Sequence, residues 1–167
     1  MIELKPFNKD DFQTLISWIK SEKDLIQFAG LVFSYPLTNN QLHKYVNDLN
    51  RKVFKIVDSV NGLTIGHSEI YFKDNSAKLC RILIGNIKYR GKGICEKIIQ
   101  KLVDISFENI NIKKVELSVF DWNIPAIKCY KKVGFQFDRE NIKTAKIKNE
   151  IWTAINMKIE RDKISNE

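Results

Sequence analysis

The chain is poor in the residues that build special chemistry. It has three cysteines (Cys80, Cys95, Cys129), two histidines (His43, His67) and three prolines in 167 residues. An odd number of cysteines with no close pair speaks against a disulfide framework, and the isolated histidines speak against a zinc site. The cysteines read as small buried apolar residues, and no metal is expected. No Ser/His/Asp arrangement is visible and no cysteine has an evident histidine partner, so a covalent acyl-enzyme is not expected. No apolar run reaches the ~18 residues of a membrane span. The opening Met1-Ile2-Glu3-Leu4-Lys5 lacks the basic, apolar and cleavage segments of a secretory leader. These absences predict a soluble, cytoplasmic protein with no membrane partner. Without repeats or low-complexity linkers, the expectation is a single domain over 1–159 and a polar tail over 160–167.

What is present is positive charge, with 28 Lys and Arg against 20 Asp and Glu, a formal net charge of +8. Such a balance suits nucleic acid, an anionic surface, or a lysine-rich exterior around an anionic cofactor. The lysines are dispersed. The clusters Lys128-Lys131-Lys132 and Lys143-Lys146-Lys148 fall at an expected helix end and an expected polar loop, where cations favour the dipole or stay solvated. No nucleic-acid partner is therefore expected.

The hydrophobic period alternates between helix and strand along the chain. Ile2 to Lys5 reads as a short strand, and Asn8 with Asp11 caps a helix carrying Phe12, Leu15, Ile16 and Ile19. A short helix at Glu22 to Phe28 ends at Ala29-Gly30. The aromatic-rich loop Leu31 to Leu37, with Phe33 and Tyr35, is a candidate substrate wall. Thr38 and Gln41 mark a capping box for a helix reaching Asn50, with Leu42, Tyr45, Val46 and Leu49 inward. Three antiparallel strands follow from Arg51, turning at Asn61-Gly62 and Lys73 to Ser76, the last running Ala77 to Ile87.

Next comes Tyr89-Arg90-Gly91-Lys92-Gly93-Ile94, between an apolar strand and an amphipathic helix. Two glycines delivering a strand to a helix N-terminus present backbone N–H groups at the positive end of the dipole, a cradle for pyrophosphate. The helix lines Ile94, Ile98, Leu102 and Ile105 against a sheet and turns Glu96, Gln100, Asp104 and Glu108 outward. A strand at Lys114 to Phe120 makes the unit β-α-β, so its two strands are parallel by a right-handed crossover. Asn123 then caps a helix with Pro125 in its first turn and Gly134 past its end. Strands near Phe135 to Phe137 and Glu150 to Ile159 complete a mixed α/β sheet.

The order strand, glycine turn, helix, strand, Asn, helix with Tyr130, Gly134-Phe135 resembles the GNAT superfamily of acetyl-CoA-dependent N-acetyltransferases. The resemblance covers roughly Gly62 to Asp138. Val115-Glu116-Leu117-Ser118-Val119-Phe120-Asp121-Trp122-Asn123 looks closest to the ribosomal-protein N-terminal acetyltransferase branch. It implies a seven-stranded mixed sheet flanked by helices, with splayed parallel strands around the cofactor, and acetyl-CoA as acetyl donor. By the same resemblance the N–H groups of Arg90, Gly91, Lys92, Gly93 and Ile94 hold the pyrophosphate. Lys88 stands where the family commonly has Arg or Gln, and Ile82, Leu83 and Ile84 offer backbone groups to pantetheine. Asn123 would contact the cofactor arm as well as cap its helix. Tyr130 would protonate the departing thiolate.

Because an ammonium has no lone pair, the acceptor amine must lose a proton. Glu69 and Glu116 are the candidate bases, directly or through water, and His67 is expected to pack. Phe28, Phe33, Tyr35 and Trp122 are candidate acceptor-binding aromatics. The expected function is acetyl transfer to a primary amine, a protein N-terminus or a small molecule, by direct attack in a ternary complex. The alternatives are an idle acetyl-CoA-binding module and, behind it, a nucleic-acid binder. A homodimer is compatible with the resemblance.

Overall fold

The computed structural model describes residues 1–161. Its elements are β1 (Ile2–Pro6), α1 (Phe12–Trp18), α2 (Glu22–Ala29), α3 (Asn39–Val46), β2 (Arg51–Asp58), β3 (Leu63–Lys73) and β4 (Ser76–Ile84). They continue with α4 (Ile94–Glu108), β5 (Lys114–Phe120), α5 (Ile124–Val133), β6 (Gln136–Ile147) and β7 (Glu150–Glu160). The strands form one mixed seven-stranded sheet in the order β1-β2-β3-β4-β5-β7-β6. Strands β4 and β5 are parallel over Ser76↔Lys114 to Leu79↔Leu117, as a β-α-β crossover requires. The pairs β1/β2, β2/β3, β5/β7 and β6/β7 are antiparallel.

The chain divides into two compact units: Met1–Tyr71 with Cys80–Ile94, and Phe72–Leu79 with the described residues from Cys95. The first is built on Phe12, Leu15, Leu25, Phe28, Leu42 and Tyr45 from the apolar faces of α1 to α3, with Phe7 and Leu37 from the connections beside them. Local signals explain those helices. Asn8 and Asp11 form a reciprocal capping box, and Ser21 and Thr38 accept from Asp24 and Gln41 amides. In the second unit Ile98, Ile99, Leu102 and Val103 of α4 are buried, as are Val115, Leu117, Val119 and Met157 on β5 and β7. Of the stripe read from the sequence Ile98 and Leu102 are buried while Ile94 and Ile105 are half-buried, because the buried face is centred one residue on, over the i, i+4 pairs Ile98/Leu102 and Ile99/Val103.

Several boundaries differ from expectation. Helix α3 stops at Val46, and Leu49, expected inward, is fully exposed. The cause is local: Asp48 Oδ1 accepts the Asn50 amide at 3.0 Å and Asp48 Oδ2 the Arg51 Nε at 2.7 Å, so side chains replace the helical ladder. Strand β4 ends at Ile84, and Ile87–Tyr89 is a 3-10 turn capped by Asn86. Strand β6 is far longer than three residues, reaching Ile147 with a register break between Asp138 and Ile142. Lys143 and Lys146 therefore lie on a strand, not a loop. As the sheet's edge it is mostly exposed, so the hydrophobic alternation that signals a strand is weak there. Of the tail expected at 160–167, Glu160 closes β7 and residues 162–167 lie outside the described residues.

The cysteines are a further correction. Cys95 and Cys129 form a disulfide across a separation of 34 residues, joining the first turn of α4 to α5, while Cys80 lies outside it. The two sequence positions are far apart, and helix packing within this unit brings them to a Cα distance of 6.2 Å. Among the described residues no helix is long and apolar enough to cross a membrane.

Candidate active site

The glycine turn has the conformation its sequence demands. Gly91 and Gly93 have φ of 72° and 68°, the left-handed region that a side chain disfavours. A Cβ on Gly91 would meet nothing within 4 Å, so backbone conformation rather than crowding selects glycine there. Among the described residues, the amides of 91 to 94 donate to no turn or loop carbonyl, and the chain runs on directly into α4. These are the features of an anion cradle.

The turn is tied back to its strand. Arg90 Nε donates to the Ile84 carbonyl at 2.9 Å, and Tyr89 Oη donates to Asp58 Oδ2 at 2.8 Å while accepting from Asn61. Arg90 thus serves the turn's shape with its side chain and leaves its amide donating to Ile87. Lys88 and Lys92 are exposed on the same segment. Trp18 shapes the approach to it: a Cβ on Gly85 would fall 1.9 Å from the indole, so the ring lies directly on the backbone there.

On the second unit, Asn123 is the N-cap of α5, its Oδ1 accepting the Ala126 amide at 3.4 Å, and Gly134 ends the helix at φ 108°. Tyr130 sits on that helix, 8% exposed, one residue beyond the disulfide. Burial pushes its phenol up to about 12, so it is protonated at neutral pH and is a donor. Glu116 on β5 accepts from Asn156 Nδ2 at 3.2 Å and pairs with Lys114 at 3.1 Å, its side chain 18% exposed.

Glu69 on β3 has entirely different surroundings. Its side chain is fully enclosed. Arg81 grips it with a two-bond fork, Nε to Oε2 at 2.5 Å and Nη2 to Oε1 at 3.1 Å. Arg51 Nη1 donates to Oε1, and Tyr45 Oη donates to Oε2. Burial, then the Glu69 charge, raises the Tyr45 phenol well above its usual range, which fixes it as the donor. The carboxylate expected to collect the amine proton is thus surrounded by donors already. His67, two residues back, packs edge-on to Phe7 and Phe28.

The Acetyltransferase (GNAT) family model matches residues 12–135. The chain belongs to the GNAT acetyltransferase family. The chain is 22% identical over 149 residues, 81% of its length, to an aminoglycoside N(6')-acetyltransferase type 1 of Klebsiella pneumoniae, 74% of which is covered. The fold superposes with a TM-score of 0.81 on the spermidine N-acetyltransferase of Vibrio cholerae in complex with CoA and spermine, at 20% identity, covering 99% and 98% of the two chains. It superposes at 0.77 on AAC(6')-Ib in complex with ribostamycin and coenzyme A, at 19% identity, covering 99% and 96%.

The candidate aromatics of this GNAT chain separate by environment. Phe28 is a core residue at 8% exposure, packed on His67. Phe33 stands edge-on to Tyr45, with the Arg81 guanidinium 6.0 Å from its ring centre. Tyr35 is half exposed and donates to the Lys20 carbonyl at 3.2 Å. Trp122, 44% exposed, stacks on Phe120 and meets Trp152 edge-on in the second unit. Ile82, Leu83 and Ile84 are half-buried at the end of β4. Sequence reasoning missed Arg51, Arg81, Tyr45 and Trp18. The one signal available was an arginine inside an apolar strand run, Leu79-Cys80-Arg81-Ile82, which demands a buried counter-charge.

Proposed function

We propose that this GNAT protein transfers the acetyl group of acetyl-CoA to a primary amine of a small molecule by direct attack in a ternary complex. The observation that carries this is the Gly91–Gly93 turn, whose left-handed glycines and undonated amides suit a pyrophosphate. The N–H groups of Gly91 to Ile94 hold that diphosphate, with Lys88 and Lys92 adding charge around it. Backbone groups of Ile82 and Leu83 take the pantetheine arm. The Ile84 carbonyl already accepts from Arg90, so from Ile84 the amide is the group on offer.

Bound acetyl-CoA supplies an activated carbonyl. Orientation of the amine and backbone donors to the charge developing on the carbonyl oxygen supply much of the rate. Tyr130 Oη gives its proton to the leaving sulfur, a role suited to a phenol that burial keeps neutral. Glu116, which solvent reaches, takes the amine proton directly or through water; Asn123 steadies the cofactor arm while capping α5. Phe33, Tyr35 and Trp122 contact the acceptor.

A small amine is favoured over a protein N-terminus because the relatives named above act on aminoglycosides and spermidine. The test is release of coenzyme A thiol from acetyl-CoA in the presence of spermine, ribostamycin or a peptide with a free N-terminus. Thiol release with spermine or ribostamycin is expected. Turnover of the peptide alone would overturn the acceptor class. Thermal stabilisation by acetyl-CoA with no release would instead establish the idle binding module.

A further inference from the structure

Within β4 the extended backbone conformation breaks at one residue, Arg81. Its φ of 48° lies in the left-handed region, uncommon for a residue with a side chain and costly unless its surroundings enforce it. The break immediately precedes Ile82–Ile84. Three neighbouring positions of β3 meet it, each in a different way. His67 Nδ1 lies 2.9 Å from the Arg81 carbonyl oxygen. A buried, neutral imidazole donates there, so a side chain takes the carbonyl. Glu69 holds the Arg81 guanidinium in the two-bond fork, with Arg51 and Tyr45 closing the carboxylate from the other side. At Gly66 a Cβ would lie 2.3 Å from the Leu83 carbonyl oxygen and 3.4 Å from Ile84 Cα. Only glycine lets the chain just past the break come so close.

We infer that Gly66, His67 and Glu69 act as one set of positioning residues, a mould on β3 that fixes the break at Arg81 and with it the direction of the Ile82–Ile84 backbone. The inference rests on the acetyl-CoA reading above, in which that backbone carries the pantetheine arm. It also gives Glu69 a task that its enclosure permits. A base must be reached by the amine, whereas a positioning carboxylate works best enclosed with its own acceptor positions filled.

The test uses the full chain and two probes, coenzyme A and adenosine 3′,5′-bisphosphate, titrated calorimetrically. The bisphosphate lacks the pantetheine arm and so does not sense the mould. His67→Phe keeps the ring packing on Phe7 and Phe28 but removes the donor; Gly66→Ala fills the close approach. Each is expected to weaken coenzyme A about tenfold, the scale of one lost hydrogen bond, and to leave bisphosphate affinity within about twofold. Equal loss for both probes would mean general damage, and no loss for either would mean no positioning; each outcome overturns the inference. Hydrogen exchange needs no ligand. Exchange after Arg81 that is slow in the ligand-free wild type supports a preset strand if it is faster in ligand-free His67→Phe, and identical exchange in the two chains overturns it. A wild type that binds neither probe would sink the acetyl-CoA reading itself, whereas wild-type binding with unaltered variants sinks only the mould.

Discussion

Glu69 and Glu116 are the same residue type in the same kind of element, and their surroundings give them opposite capacities. Glu69 is enclosed and receives two guanidinium groups and a phenol. Glu116 keeps part of its surface in water and receives an amide and a lysine. A carboxylate with all its acceptor positions filled holds structure in place. One that solvent reaches is open to a reacting group. Environment, not identity, assigns the task.

The largest expected effect is the difference between their neutral variants. Glu69→Gln leaves the buried Arg81 guanidinium without its counter-charge and Arg51 with Asp48 alone, and should lower stability by about 3–5 kcal/mol. Glu116→Gln, losing a partly exposed pair, should cost about 1 kcal/mol or less. Urea unfolding of both variants measures this, and equal losses would erase the contrast.

The second unit has a covalent tie where the first has a charge network, so a reductant should discriminate between them. Breaking Cys95–Cys129 opens a loop of 34 residues, worth about 3–4 kcal/mol on the chain-entropy account. Hydrogen exchange before and after reduction should show the loss concentrated in α4 and α5. Loss centred on β3 would contradict the division.

Acid should act on the first unit. Burial lowers His67 from 6.5 to about 4. Between those values the unfolded chain binds a proton that the folded chain refuses, so stability falls as pH drops from about 6.5 to about 4. The loss attributable to this residue is about 3 kcal/mol, on the order of its shift. His67→Phe should remove that component from the pH dependence of urea unfolding; an unchanged acid slope would show that His67 is not its source.

Activity gives the last comparison. Tyr130→Phe should reduce kcat about a hundredfold or more with little change in KM for acetyl-CoA, the signature of a lost general acid. Glu116→Gln should reduce kcat by a smaller factor. An unaltered kcat for Tyr130→Phe would remove its role.

Local signals made much of the fold legible. Asn8 with Asp11, Thr38 with Gln41, and Asn123 with Gly134 set helix ends through contacts within a few residues, and the spacing of Ile98, Leu102 and Val103 set a buried face. The order of motifs carried the family. Leu49 and β6 were misread because helical spacing can persist by chance past a side-chain-capped end, and because an edge strand need not alternate. The cysteine pair was misread because spacing along the chain does not report distance across helices.

By itself the sequence made the glycine turn possible, since glycine admits φ above zero without a steric penalty and Gly91 and Gly93, two residues apart, both adopt it. It also determined where the helices begin, through caps such as Asn8, Thr38 and Asn123. Only the tertiary structure decided that Glu69 is enclosed. Its partners Tyr45, Arg51 and Arg81 lie 24, 18 and 12 residues away along the chain. Burial and pairing are sums over neighbours from other elements, and no local pattern encodes which neighbours those are.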